Sequence, residues 1–245
     1  MILEAISLGP VAAAILDAAG SAMPQGRVVS RSERSAYVEY GDDLVCVVDQ
    51  ELYDGAINIR VRRLPEHGQR VRIDRRAARA WKPRPLPSPA RIRSHVDSLR
   101  QRVADAPAFA DPIALFGKGE GLTPDGDDIV AGMMLALNAV GARFDADGWL
   151  ASARSRTHAI SLAHLRAAAA GHASAPVHDA LRALVDASCA DPDGAFAGLA
   201  QVGHSSGLSA LAGMKAALAA WARNPDALMP DAFMPDSTRG TDGRC

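Results

Sequence analysis

The chain has 245 residues, with 27 lysines and arginines set against 28 aspartates and glutamates. That length suits one large domain or two small ones with a real core, which sets aside a tail or a linker. The near-cancelling charge excludes recruitment of nucleic acid or an anionic membrane by bulk electrostatics, so a charged ligand has to be met by a local arrangement.

From Met1 to about Trp81 the texture is strand-like. After GPVAAAILDAAG, a short helix closed by Gly20, come GRVVSR, SAYVEY, DLVCVVD, AINIRVRR and QRVRID. Each is a short β-branched or aromatic run bounded by Gly, Asp, Pro or Asn, the pattern of antiparallel strands and turns. The expectation is a small, mostly antiparallel β domain over residues 1–81, a sheet or barrel with one short helix. YGDDLV reads as a hairpin, which makes Asp42 and Asp43 turn residues rather than ligands.

KPRPLPSP, from Lys82 to Pro89, repeats proline and so removes backbone donors and favours extended chain, the mark of a domain boundary. Beyond it the period becomes 3.6, in ARIRSHVDSLRQRVA, DDIVAGMMLALNAVGA, DGWLASARSRTHAISLAHLRAAAAG, APVHDALRALVDAS, DGAFAGLAQV and GLSALAGMKAALAAWAR. These runs predict an all-helical domain over residues 90–224, and hence an α+β chain. The tail, residues 225–245, has no period and carries three Pro-Asp steps, so it is expected to be disordered.

Cys46, Cys189 and Cys245 are odd in number, far apart and without C-x-x-C spacing, which argues against a disulfide framework or a cysteine zinc site. No basic-then-apolar leader opens the chain, and no apolar run reaches the roughly 18 to 20 residues of a spanning helix. The expectation is a soluble, cytoplasmic protein with neither nucleic acid nor membrane as a partner.

The helical half contains an echo of itself. Aligning TPDGDDIVAGM (Thr123 to Met133) with HSSGLSALAGM (His204 to Met214) superposes Gly126 on Gly207, Asp128 on Ser209 and the closing Ala-Gly-Met on itself. Gly132 and Gly213 sit within apolar helices, where glycine costs roughly 1 kcal/mol relative to alanine. Either two helices cross closely there in an alanine-rich sequence, or the two loops face each other across one pocket with a helix N-terminus aimed inward from each.

GKGEG, from Gly117 to Gly121, frees its backbone N–H groups in front of a helix N-terminus, an anion site to which Lys118 adds a mobile charge. It is neither a Walker loop, lacking G-K-[ST], nor a dinucleotide fingerprint, lacking the preceding strand. Thr123, Pro124 and Asp127 read as a helix start, but three aspartates in four positions exceed what a helix dipole needs. Asp125, Asp127 and Asp128 either bind Mg²⁺ through carboxylate oxygens or accept from an amide N–H or an arginine. Further on, Arg154, Thr157, Ser161 and His164 fall three or four apart on one helical face, with Arg156 beside them. That stripe is either a solvated outer face or a ligand-binding one; serine and threonine are poor choices for exposed helix, and arginine suits carboxylate or phosphate. His172, His178 and His204 are scattered, and no H-E-x-x-H or G-x-S-x-G supports a zinc site or a serine hydrolase.

GKGEGLTPDGDDIVAGMMLAL resembles the G-x-G-x-G-L-T-P-[SD]-G-D-D signature of a bacterial domain-of-unknown-function family that includes the AllH-type subunit of oxamate carbamoyltransferase. SRTHAISLAHLRAAAAGHAS and VGHSSGLSALAGM are similar to that family's second and third motifs, in the same order. The resemblance implies a component of a multi-subunit enzyme that interconverts oxalurate plus phosphate with oxamate plus carbamoyl phosphate, its partners including an acyl-CoA-synthetase-like subunit. It departs from the family at Asp125, where Ser is common, and at Ser209, where Asp is common: either a different substrate or a compensating exchange between two facing loops.

Substrates of this class present oxyanions to cations and glycine loops, and amide N–H groups to acids. On that ground Asp127, Asp128 and Arg156 are expected to be catalytic. Lys118, Gly119, Gly121, Thr123, Asp125, Gly126, Thr157, Ser161, His204, Ser206 and Gly207 are expected to bind substrate, and Asp127 with Asp128 to hold any Mg²⁺. Preorganised donors suffice for the developing charge, and no covalent nucleophile is required. The alternative is a non-catalytic assembly or metabolite-sensing subunit.

Overall fold

The computed structural model describes residues 1–20 and 23–225. The tail expected to be disordered therefore lies, from residue 226 on, outside the described residues.

The N-terminal part is built from β1 (Ile2–Leu8), helix α1 (Pro10–Ala18), β2 (Gln25–Arg31), β3 (Ser35–Tyr40), β4 (Asp43–Asp49), β5 (Asn58–Val61), β6 (Arg70–Asp74) and the two-residue β7 (Arg79–Ala80). Pairing runs β5-β4-β3-β2-β6-β1 and returns from β1 to β5, so six strands close into a barrel, with β7 added on β1. β1–β6, β1–β7 and β4–β5 are parallel pairs; β1–β5, β2–β3, β2–β6 and β3–β4 are antiparallel. This corrects the expected mostly antiparallel β domain: the sheet is closed and mixed. The physical reason lies in ILEAISL, which the sequence reading leaves out of its strands and which closes the ring between β6 and β5. Apolar runs encode burial, not the direction of the partner strand.

Inside the barrel, Val28, Val38, Val45, Val47, Ile59, Val71 and Ile73 meet Leu16 of α1. The other face of β3 and β4 is covered as well. Tyr37, Leu44, Cys46 and Val48 point outward and pack with Ile57 against Ile160 and Ala167 of the helical part. That is why DLVCVVD is apolar without alternation: both of its faces are buried.

The helices are α2 (Pro89–Ser94), α3 (Val96–Arg102), α4 (Asp125–Val140), α5 (Ala146–Arg154), α6 (Ala159–Ala169), α7 (Ala175–Val185), α8 (Pro192–Ala197) and α9 (Ser206–Arg223), with 3-10 turns at Ile113–Leu115 and Gly198–Gln201. At the centre α4 and α9 bury Met133, Met134, Leu137, Met214, Leu218 and Trp221. Their backbones touch. A Cβ on Gly132 would lie 2.0 Å from the Ala210 carbonyl oxygen, and one on Gly213 would lie 1.9 Å from that of Ile129. In the register of the internal echo Gly132 corresponds to Gly213 and Ile129 to Ala210, so these two contacts are mates across a local pseudo-twofold axis.

The expected polar helix from Ser152 is two helices. Arg156 and Thr157 both donate their N–H to Ala153 O, at 2.9 and 3.0 Å, closing α5 before α6 begins. Arg154, Thr157, Ser161 and His164 therefore do not form one helical face. Barrel and helices are joined by main-chain bonds: Ala56 N–H donates to Ala173 O at 3.0 Å, Ala175 N–H donates to Asp54 O at 2.8 Å, and Gly55 forms an antiparallel bridge with Ser174. Among the described residues no helix is long and apolar enough to cross a membrane.

Helix propensity alone makes Gly213→Ala stabilising by roughly 1 kcal/mol. The backbone contact reverses the sign, and the variant is expected to lose about 1 to 3 kcal/mol, read as a lower urea midpoint. A raised midpoint would refute the close crossing.

Candidate functional site

The start of α4 places three aspartates on three different faces. Pro124 is the N-cap, and its carbonyl accepts the N–H of Asp127 at 2.9 Å and of Asp128 at 3.1 Å. Asp127 is buried, with 1% exposure, and both carboxylate oxygens are engaged: Oδ1 accepts Gly117 N–H at 2.8 Å, and Oδ2 accepts the Ser161 hydroxyl at 2.6 Å and the Thr157 hydroxyl. It ties the glycine loop and the start of α6 to α4. Asp125 turns the other way, its Oδ1 accepting the hydroxyls of Ser205 at 2.6 Å and Ser209 at 3.0 Å, which holds the start of α9. Asp128 alone faces a cavity. Because the carboxylates diverge, no group of three His, Cys, Asp or Glu able to hold a metal forms among the described residues.

The glycine loop folds down onto the helix it precedes. Gly117, Gly119 and Gly121 have φ of 72, 110 and 92°, a region closed to most other residues. A Cβ on Gly117 would lie 2.0 Å from Arg156 O, and Gly126 N–H is already given to Lys118 O at 2.8 Å. Lys118, Gly119, Gly121 and His204 are exposed. The Arg156 guanidinium donates to Ile113 O at 2.8 Å and is exposed as well.

The cavity, of about 360 Å³, lies between the barrel and the helices. Of the site residues expected from the sequence, Thr123, Asp128 and Ser206 line it; Lys118, Gly119, Gly121, Asp125, Gly126, Asp127, Arg156, Thr157, Ser161, His204 and Gly207 do not. The Thr123 and Ser206 hydroxyls meet at 3.0 Å, so the two loops of the echo do face each other. The opposite wall comes from the barrel, through Arg34 in the β2–β3 turn, Tyr37 of β3, Cys46 of β4 and Tyr53 of the β4–β5 connection, and His164 of α6 completes it. None of these barrel residues is among the site residues expected from the sequence. The signal for them was present: Tyr37 in SAYVEY and the unbroken DLVCVVD place apolar and aromatic groups on a face that an uncovered barrel would leave in water.

Four of the wall residues are kept neutral by burial. Burial pushes the Cys46 thiol and the Tyr53 phenol each up to about 12, raises Tyr37 well above its ordinary value, and brings the His164 imidazole down to about 4. At neutral pH all four are uncharged, and Cys46 is not a thiolate nucleophile. Tyr37 and His164 share a hydrogen bond of 2.9 Å. Asp128 stands out in these surroundings. Its Oδ2 is sealed from solvent and has no hydrogen-bond partner. Burial pushes its carboxyl up to about 7, while the nearby Ser206 and Thr123 hydroxyls draw it down and the charges of Asp125 and Asp127 push it up. A half-buried carboxyl in a cavity wall, with one oxygen unpartnered among the described residues and its pKa raised by burial, is a candidate functional group.

Residues 115–218 match the family described as "Oxamate carbamoyltransferase subunit AllH", which bears out the family resemblance carried by the three motifs. No curated protein and no solved structure matches the chain. The matched segment contains the glycine loop and α4 through most of α9; the barrel wall of the cavity lies outside it.

Two outcomes follow from the aspartates. Asp127→Ala strands two hydroxyls and an N–H, and is expected to cost about 3 kcal/mol or more in urea unfolding. For Asp128 the carboxyl value is raised from 3.8 to about 7 on folding. The folded chain then holds a proton that the unfolded chain has lost, so stability falls as pH rises through this window and levels off above it. Asp128→Asn removes that slope: measured from about pH 5 to about pH 8, stability should shift progressively in the variant's favour. Parallel curves would refute the raised value.

Proposed function

Because residues 115–218 match the oxamate carbamoyltransferase subunit AllH family, we propose that this chain is a subunit of a carbamoyl-transferring complex and holds the small amide substrate in the cavity between barrel and helices. Phosphate, oxamate, oxalurate and carbamoyl phosphate are the reactants this implies, and the chain works with other subunits, an acyl-CoA-synthetase-like protein among them. The observation that carries the reading is Asp128, the one carboxyl among the described residues that line the cavity, which burial pushes up to about 7.

The chemistry asks for such a group. An oxygen of hydrogen phosphate attacks the terminal ureido carbon of oxalurate; the new C–O bond forms, the C–N bond to the oxamate nitrogen breaks, and that nitrogen takes up the proton that phosphate gives up. A carboxyl titrating at about 7 is protonated and ionised in comparable amounts at neutral pH. It can donate to the leaving nitrogen and recover the proton from phosphate, the condition under which acid–base catalysis is most effective. The Thr123 and Ser206 hydroxyls stand beside it as donors for a developing oxyanion. Asp127 and Asp125 are positioning residues, since their oxygens hold Gly117, Thr157 and Ser161 in one case and Ser205 and Ser209 in the other. Lys118 and Arg156, both outside the cavity, have no part in this step.

In the complex reconstituted from all subunits, Asp128→Asn is expected to lower the phosphate-dependent rate by about 10² to 10⁴ while oxamate binding persists. The limb of the pH–rate profile near about pH 7 should disappear with it. Turnover by the asparagine variant at the wild-type rate would sink the reading and leave a non-catalytic assembly or sensing subunit.

A further inference from the structure

Among the described residues that line the cavity there is one basic side chain of the arginine or lysine type, Arg34. It comes from the barrel, in the turn between β2 and β3, on the part of the chain that the family match does not reach. The turn is well held. Ser32 N–H donates to Ser35 O at 2.8 Å, the two serine hydroxyls meet at 2.8 Å, and the Arg34 carbonyl accepts Asp49 N–H at 3.0 Å. Among the described residues no carboxylate forms a salt bridge with the Arg34 guanidinium. It is therefore a cation on a fixed stem, at an exposed rim, with its fork uncommitted.

Tyr53 links this rim to the interior. Its phenol, raised chiefly by burial, is drawn down by the Arg34 charge and pushed up by that of Asp128, so it lies within electrostatic reach of both. Arg34 from the exposed rim and Asp128 from α4 both line the same cavity as Tyr53, so a small molecule held there meets a cation and a carboxyl group. The neutral wall between them leaves little screening.

We propose that Arg34 anchors the carboxylate of the substrate at the cavity mouth, so that its amide or ureido end is presented to Asp128. The inference rests on the reading of the cavity as the substrate site and deepens it: the ligands selected are short amido or ureido acids, one carboxylate at one end and N–H groups at the other. A guanidinium grips a carboxylate through two parallel charge-assisted bonds, which a neutral amide cannot return. Arg34 is thus a specificity-determining residue that reads charge, while Asp128 acts on the nitrogen.

The test compares oxamate with oxamide, in which a neutral amide replaces the carboxylate, by calorimetry on the full chain. Wild-type protein is expected to bind oxamate at least about tenfold more tightly than oxamide. Arg34→Met should erase that preference by weakening oxamate alone, and Arg34→Lys should restore part of it; circular dichroism verifies that both fold. If Arg34→Met binds oxamate as the wild type does, or weakens both ligands equally, the role of Arg34 is overturned while the cavity stands. If the wild-type chain binds neither oxamate nor oxamide, the cavity reading fails and Arg34 falls with it.

Discussion

Two glycines allow α4 and α9 to meet backbone to backbone, and the arrangement of the helical site depends on that contact. Gly132 lies against Ala210 and Gly213 against Ile129, each in the place of the other under the internal echo. With the helix axes brought this close, the loops ahead of the two helices have to meet as well, and Thr123 touches Ser206. The same relation orders the acids. Asp125 corresponds to Ser206 and Asp128 to Ser209, so the Asp125–Ser209 hydrogen bond is the counterpart of the approach of Ser206 to Asp128. The Ser209 hydroxyl donates to Asp125 at 3.0 Å, so each loop of the echo holds the other's helix start.

The symmetry is broken by what covers each side. Asp125 is satisfied by two hydroxyls from α9 and its preceding loop, whereas Asp128 looks toward the barrel, where Tyr37, Tyr53 and Cys46 are neutral, as is His164 of α6 beside them. A carboxylate can be stabilised by hydrogen bonds or by opposite charge, and Oδ2 of Asp128 has neither. Desolvation therefore dominates, which is why the carboxyl titrates at about 7. The barrel contributes most through what it withholds, namely water and compensating charge.

Much of this was legible in the sequence. Helix α4, the strands β3 and β4, the echo and its two facing loops all follow from local period and spacing. What was not legible depends on partners far along the chain. ILEAISL closes the barrel only because β6 and β5 lie on its two edges, and no property of seven residues states that. The glycine loop reads as an open cradle, yet its positive-φ glycines serve close packing, Gly117 on Arg156 and Gly119 on Asp125. Asp127 reads as a catalytic acid for a related reason: composition announces a carboxylate but not the three donors that consume it. A helical stripe that looked continuous from Arg154 to His164 breaks at Arg156, and the break is what lets Thr157 reach Asp127.

The match to the family lies within the helical half and stops short of the barrel, and the cavity is divided along that same line. On the proposed reading the acid that moves protons, with its flanking hydroxyls, comes from the matched segment, and the cation that reads the substrate's charge comes from outside it. These two tasks place different demands on the fold. Proton transfer requires a fixed, desolvated carboxyl, which the α4–α9 contact and the Asp127 and Asp125 tethers supply. Selection among related acids requires only a group at the mouth whose replacement leaves that core untouched, and a turn of three residues between two barrel strands meets the requirement. Main-chain bonds from Asp54 and Ala56 to residues 173–175 hold the two walls in register, so on that reading the turn residue sets which acid enters while the helical wall sets how it reacts.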